Sequence, residues 1–135
     1  MLSRQPSPYE SRLRVWAARG KRVLWMATMT PPTKSRREVL EGFVQANPND
    51  AFARYGLALE CAKLGEDDAA GGHFVKLIES HPGYVAGYFQ YGQLLARLGR
   101  IPEAKKTLSD GIVVAAHAGD THARDEMQAT LQSLA

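Results

Sequence analysis

The sequence predicts an all-α fold of stacked antiparallel helical hairpins, and three observations carry that expectation. Helix punctuation recurs at a spacing of 34 residues: Leu64 and Gly65 return as Leu98 and Gly99, Ala62 as Ala96, Ala70 as Ala104, and Phe74 as Leu108. Between these stops the apolar residues fall at helical spacings of three and four. No alternating apolar and polar run bounded by turns is left over to form a strand.

Residues 1–33 read as a separate basic leader and linker. They hold six Lys or Arg against one acid, Glu10, and four of the seven prolines. Leu13, Trp16, Ala17, Gly20 and Leu24 would line one face of a basic helix, which the Pro31–Pro32 pair would end, because proline lacks an amide donor and restricts the residue before it. The leading expectation is an unstructured, or even untranslated, extension upstream of a start at Met29. A membrane-surface or organelle-targeting helix and an ordered extra helix are the other readings.

From Ser35 the helix signals are regular. Ser35 is placed to cap a helix over 36–47, with Glu38 three residues on as the capping-box acid and Val39, Leu40, Phe43 and Val44 as the apolar face. Asp50 is the N-cap of the next helix, which has one apolar face through Phe52, Tyr55, Leu59 and Ala62 and another through Leu57, Ala58, Cys61 and Leu64. Two faces imply packing on two sides. Gly65 ends that helix, Asp67 and Asp68 favour the start of its successor through the helix dipole, and Pro82 ends it. The plan repeats from Val85 through Gly99. A last helix after Asp120 carries one apolar face, through Ala123, Met127, Leu131 and Leu134.

Such hairpins cannot bury their own apolar faces, so copies stack and each covers its neighbour. In residues 51–84 and 85–118 the landmarks resemble the tetratricopeptide repeat family: Ala58 and Gly92 at the small position of the first helix, Ala70 and Ala104 at that of the second, Gly65 and Gly99 at the turn, Phe74 and Leu108 as the apolar knob, and Pro82 as the closing proline. Tyr88, Tyr91, Gly92 and Leu95 fit the family's aromatic, large, glycine, large spacing. Arg54 departs from the usual aromatic, Gly111 from an alanine-like position, and Ala116 from the closing proline, so the last long helix should run on to Gly119. The resemblance implies a right-handed solenoid over 34–135, with a half repeat at 36–50, repeats at 51–84 and 85–118, and a capping helix at 120–135.

The formal charge of +3 does not make this a nucleic-acid-binding body, since residues 1–33 carry +5 and residues 34–135 carry −2. Cys61, the one cysteine, sits at a core position and reads as an inert structural thiol in a reducing, cytoplasmic setting. His73, His81, His117 and His122 have no carboxylate or cysteine at metal-ligand spacing, so no metal is expected. Gly71 and Gly72 lie inside a helix with no strand before them, which does not suit a phosphate loop. Either another helix approaches closely there or that helix is soft. No catalytic residues, cofactor or membrane-spanning segment is expected.

What remains is a surface. In the family resembled here, the first helices of successive pairs line a concave groove that binds peptides or proteins. Carried over, its positions are Phe52, Tyr55, Leu59 and Lys63 in the first repeat and Phe89, Gln90, Gln93 and Arg97 in the second. The Lys and Asn with which some members clamp acidic C-termini are replaced by Tyr55 and Leu59, so that clamp is not expected. The implied function is a non-catalytic adaptor that binds a protein segment or associates with itself as a homodimer. The alternatives are a helical accessory subunit of an enzyme complex and a protein directed by its leader.

Overall fold

In a computed structural model, residues 33–135 are described, and the expectations placed on the leader lie outside them. Six α-helices occupy this stretch: α1 (Arg36–Ala46), α2 (Ala51–Lys63), α3 (Asp67–Ser80), α4 (Val85–Arg97), α5 (Ile101–Ala118) and α6 (Thr121–Ser133). Ser35 Oγ accepts from the Glu38 amide at 3.2 Å, and Asp50 and Asp120 each accept from the amide three residues on at 3.0 Å. These bonds satisfy donors that a helix start otherwise leaves orphaned.

The turn glycines do what their spacing implies. Gly65 and Gly99 both sit at φ +78°, and Gly119 at φ +73°. In each case the residue after the glycine donates back to a carbonyl five residues earlier: Glu66 to Cys61, Arg100 to Leu95, and Asp120 to Ala115, all at 2.9 Å. This is the left-handed stop that glycine tolerates and other residues resist. With no closing proline, α5 does run to Ala118, four residues longer than α3.

Small residues lie where helices cross. Ala58, Ala70 and Ala104 are fully buried. A Cβ added at Gly92 would come within 2.6 Å of Leu108 Cδ2, so α4 and α5 approach closely there. Gly71 and Gly72, by contrast, have nothing within 4 Å of such a Cβ, so no helix among the described residues approaches closely at that point. One buried cluster joins α2, α3 and α4 through Leu57, Ala58, Cys61, Ala70, Phe74 and Leu94. A second joins α4, α5 and α6 through Tyr88, Leu108, Ala115 and Met127. Burial pushes the Cys61 thiol up, which keeps it protonated and inert.

Arg54 is the one departure that the fold explains by the repeat itself. It is only 9% exposed, and its guanidinium donates to the Pro48 carbonyl at 3.2 Å. Thirty-four residues on, the Tyr88 hydroxyl donates to the Pro82 carbonyl at 2.7 Å. Arginine therefore replaces the aromatic and keeps its bond to the carbonyl of the preceding turn. Its second partner is His73 Nδ1, at 3.3 Å.

That contact makes stability sensitive to acid. Burial, and then the neighbouring Arg54 and Lys76 charges, hold His73 below its ordinary value of 6.5; Arg37 acts in the same direction and Glu41 against it. The folded state therefore prefers neutral His73, and the unfolded chain takes up the proton first. Stability from this site is present above pH 6.5 and is lost as pH falls from there through the lower folded value. Replacing His73 with glutamine should flatten the melting temperature against pH in that window; an unchanged slope would assign the acid sensitivity to other groups.

Candidate functional site

The pairing of α2 with α4 builds a concave cavity of about 170 Å³, lined by Leu59, Ala62, Phe74, Gln90, Gln93, Leu94 and Arg97. Helical spacing explains the lining. Leu59 and Ala62 lie three apart on α2, and Gln90, Gln93, Leu94 and Arg97 follow spacings of three and four on α4. Phe74, rooted on α3 and 1% exposed, supplies the floor. The result is an apolar pit with amides along one wall and a guanidinium at one end.

Of the eight positions carried over from the sequence, Leu59, Gln90, Gln93 and Arg97 line this cavity. Tyr55 is half-buried next to it, its ring 5.3 Å from Tyr84 at an interplanar angle of 49°. Burial pushes the Tyr55 hydroxyl up, and a hydrogen bond with Gln90 pulls it back. Phe52 stands at the start of α2, 77% exposed, and no neighbouring helix among the described residues covers it. Lys63 is exposed at the other end of α2. Phe89 turns elsewhere: it is half-buried against the cluster that contains Met127 of α6, away from the cavity lining.

Arg97 is not a lone rim cation. It donates to Asp67 at 2.7 Å across to α3. That exposed pair partly offsets the guanidinium charge at the mouth, and among the described residues Lys63 has no ion-pair partner. Sequence reasoning missed Ala62, Phe74, Leu94 and Tyr84 as parts of this surface. A single helical face does not contain them; the cavity is assembled from three helices, and Tyr84 stands in the turn before α4 against Tyr55.

No family model matches the chain. A solution structure of a tetratricopeptide repeat domain protein from Salinibacter ruber superposes with a TM-score of 0.63 at 35% identity, covering 65% of this chain and 89% of that one. The chain belongs to the tetratricopeptide repeat family. A TPR repeat-containing protein of Pseudomonas aeruginosa is 29% identical over 97 residues, 72% of this chain and 92% of the relative. A protein from Bordetella parapertussis has the same fold, with a TM-score of 0.67 at 24% identity over 76% of this chain and 89% of that one. The all-α repeat architecture is thus that of a protein-interaction module. The family's fold points away from catalysis, and among the described residues no group of three His, Cys, Asp or Glu could hold a metal ion. No helix among them is long and apolar enough to cross a membrane.

Proposed function

We propose that this tetratricopeptide repeat protein is a non-catalytic adaptor that binds an extended protein segment in the groove between α2 and α4. The observation that carries this reading is the composition of the cavity. Leu59, Ala62, Phe74 and Leu94 offer an apolar seat for one side chain, while Gln90 and Gln93 offer donors and acceptors to a passing backbone. Tyr55 and Phe52 extend the apolar track toward the start of α2. Since Asp67 partly offsets the Arg97 charge, the preferred segment is one with a large apolar residue rather than an acidic terminus. A reducing cytoplasm suits a chain whose one cysteine is a free, buried thiol. Self-association fits this reading where it leaves the groove open.

The test is to select a ligand from a phage-displayed random peptide library on the immobilised full chain, then titrate the synthetic peptide against variants. Tyr55→Ala and Gln93→Ala should each weaken binding about tenfold, or roughly 1.4 kcal/mol, without loss of helicity. Lys63→Ala should lose less, and that loss should fade at high salt, because an exposed charge mainly steers encounter. Equal affinities across the three variants would move binding off the groove.

A further inference from the structure

The first and last of the described helices differ in a way that the groove does not use. At the C-terminal end, α6 turns Ala123, Leu131 and Leu134 into the second cluster. Its Asp125, Gln128 and Gln132 remain exposed, so a polar face closes that end. At the other end, α1 buries no residue completely. Leu40 and Val44 pack against the first cluster, but Val39 is 41% exposed and Phe43 57% exposed. Gly42 and Ala46 are exposed beside them, and the spacing 39, 42, 43, 46 puts all four on one face.

The charges of α1 leave that face alone. Arg36 pairs with Glu60 of α2 at 3.7 Å, and Arg37 pairs with both Glu41 and Glu66, so these groups are drawn toward α2 and α3. Among the described residues nothing requires Gly42 to be small, because a Cβ there would meet nothing within 4 Å. A glycine in the middle of a helix is unfavourable relative to alanine, so a small residue centred on an exposed apolar face is most simply explained by something that approaches closely from outside.

We propose that this face of α1 is a two-fold contact between two copies of the chain. The sequence of the face is self-complementary when two α1 helices run antiparallel with position 42 of one against 43 of the other. Phe43 then sits over the glycine gap of its mate in both directions, and the same register sets Val39 opposite Ala46. Large meets small at every step, and at the flank Glu38 falls opposite the Asn47 amide, with no like charges opposed. An isologous contact of this kind closes on itself. No residue of α1 lines the cavity between α2 and α4, so both grooves stay open in the pair. The contact is short, and the dimer it makes is accordingly weak and concentration-dependent.

Sedimentation equilibrium of the full chain, from low to about 100 µM protein, tests this, since so small a contact is expected to dissociate in the micromolar range. The wild type should move from one to two chain masses across that series. Phe43→Glu should remain monomeric with unchanged helicity. Gly42→Leu is the second variant. It fills the seat for the partner ring but meets open space within its own chain, so its dimer should dissociate at least tenfold more readily while its melting temperature does not fall. A wild-type monomer throughout overturns the proposal, and so does a dimer that either folded variant leaves intact. A monomer whose α1 amides are nonetheless protected from hydrogen exchange also overturns it, by giving the face to another occupant.

Discussion

Phe74→Ala is expected to lower stability by about 3 to 5 kcal/mol, the usual range for removing a fully buried aromatic ring. Phe74 is 1% exposed and sits in the cluster shared by α2, α3 and α4. Its ring lies 5.9 Å from that of Tyr91 and is nearly parallel to it, at 14°. Truncation therefore opens a void between three helices at once, and a stack whose repeats hold each other through such contacts has no other element to refill it. For a domain of this size each kcal/mol moves the melting temperature by ~4 to 8 °C, so thermal unfolding followed by circular dichroism should show a drop well above 10 °C. A loss of under about 1 kcal/mol would mean that the cluster collapses onto the space and that Phe74 is not its centre. The same change removes the floor of the groove, so any ligand anchored there should lose affinity as well.

The second large effect is expected at Gly111, where Gly111→Leu should cost about 1 to 3 kcal/mol by overpacking. A Cβ at this position would lie 2.6 Å from both Tyr88 Cβ and Met127 Sδ. The methionine can bend away, but Tyr88 Cβ is fixed to its backbone, so even the first added carbon forces α4 and α5 apart. Gly72→Ala is the matched control. It has open space on that side and should stabilise by roughly 1 kcal/mol through helix propensity. Adding Met127→Ala to Gly111→Leu should give less destabilisation than the two separate losses combined, because one of the two clashes is relieved. Additive losses, measured by chemical denaturation of all three variants, would show that Gly111 and Met127 do not share a packing site.

Gly111 also shows what the sequence could and could not reveal. Its counterpart one repeat earlier is Leu77, which is fully buried with its Cδ2 3.0 Å from the Cβ position of Gly87. In the second repeat the sizes are exchanged: the small residue is on α5 and the large one, Met127, is on α6. A comparison in steps of 34 detects the departure at Gly111 but not its compensation, because α5 is longer than α3 and α6 falls out of register. Phe89, carried over as a groove position, packs instead against the cluster of Tyr88, Leu108, Ala115 and Met127, to which α6 contributes. Arg54 escaped because a charged residue reads as exposed until the Pro48 carbonyl and His73 Nδ1 are known to meet it. The ion pair of Arg97 with Asp67 spans 30 residues and follows from the tertiary fold alone.

What was legible had local causes. The three left-handed glycine stops, the caps at Ser35, Asp50 and Asp120, and the small residues at the crossings each follow from backbone or steric requirements at one position. Leu59, Gln90, Gln93 and Arg97, carried over from the repeat resemblance, line one cavity because helical spacing aligns them on facing helices. The floor beneath them was not, since it comes from Phe74 on a third helix.

A bound ligand is expected in the groove between α2 and α4. The most direct test is a nitrogen-15 and proton correlation experiment on the labelled full chain, titrated with the tightest peptide selected from the random library. With ligand in the groove, the side-chain amide signals of Gln90 and Gln93 and the backbone signals around Leu59 and Ala62 should shift together and saturate with one dissociation constant. Shifts confined to the α3 and α5 surface around Val75, Lys106 and Asp110, with Gln90 and Gln93 unmoved, would contradict it.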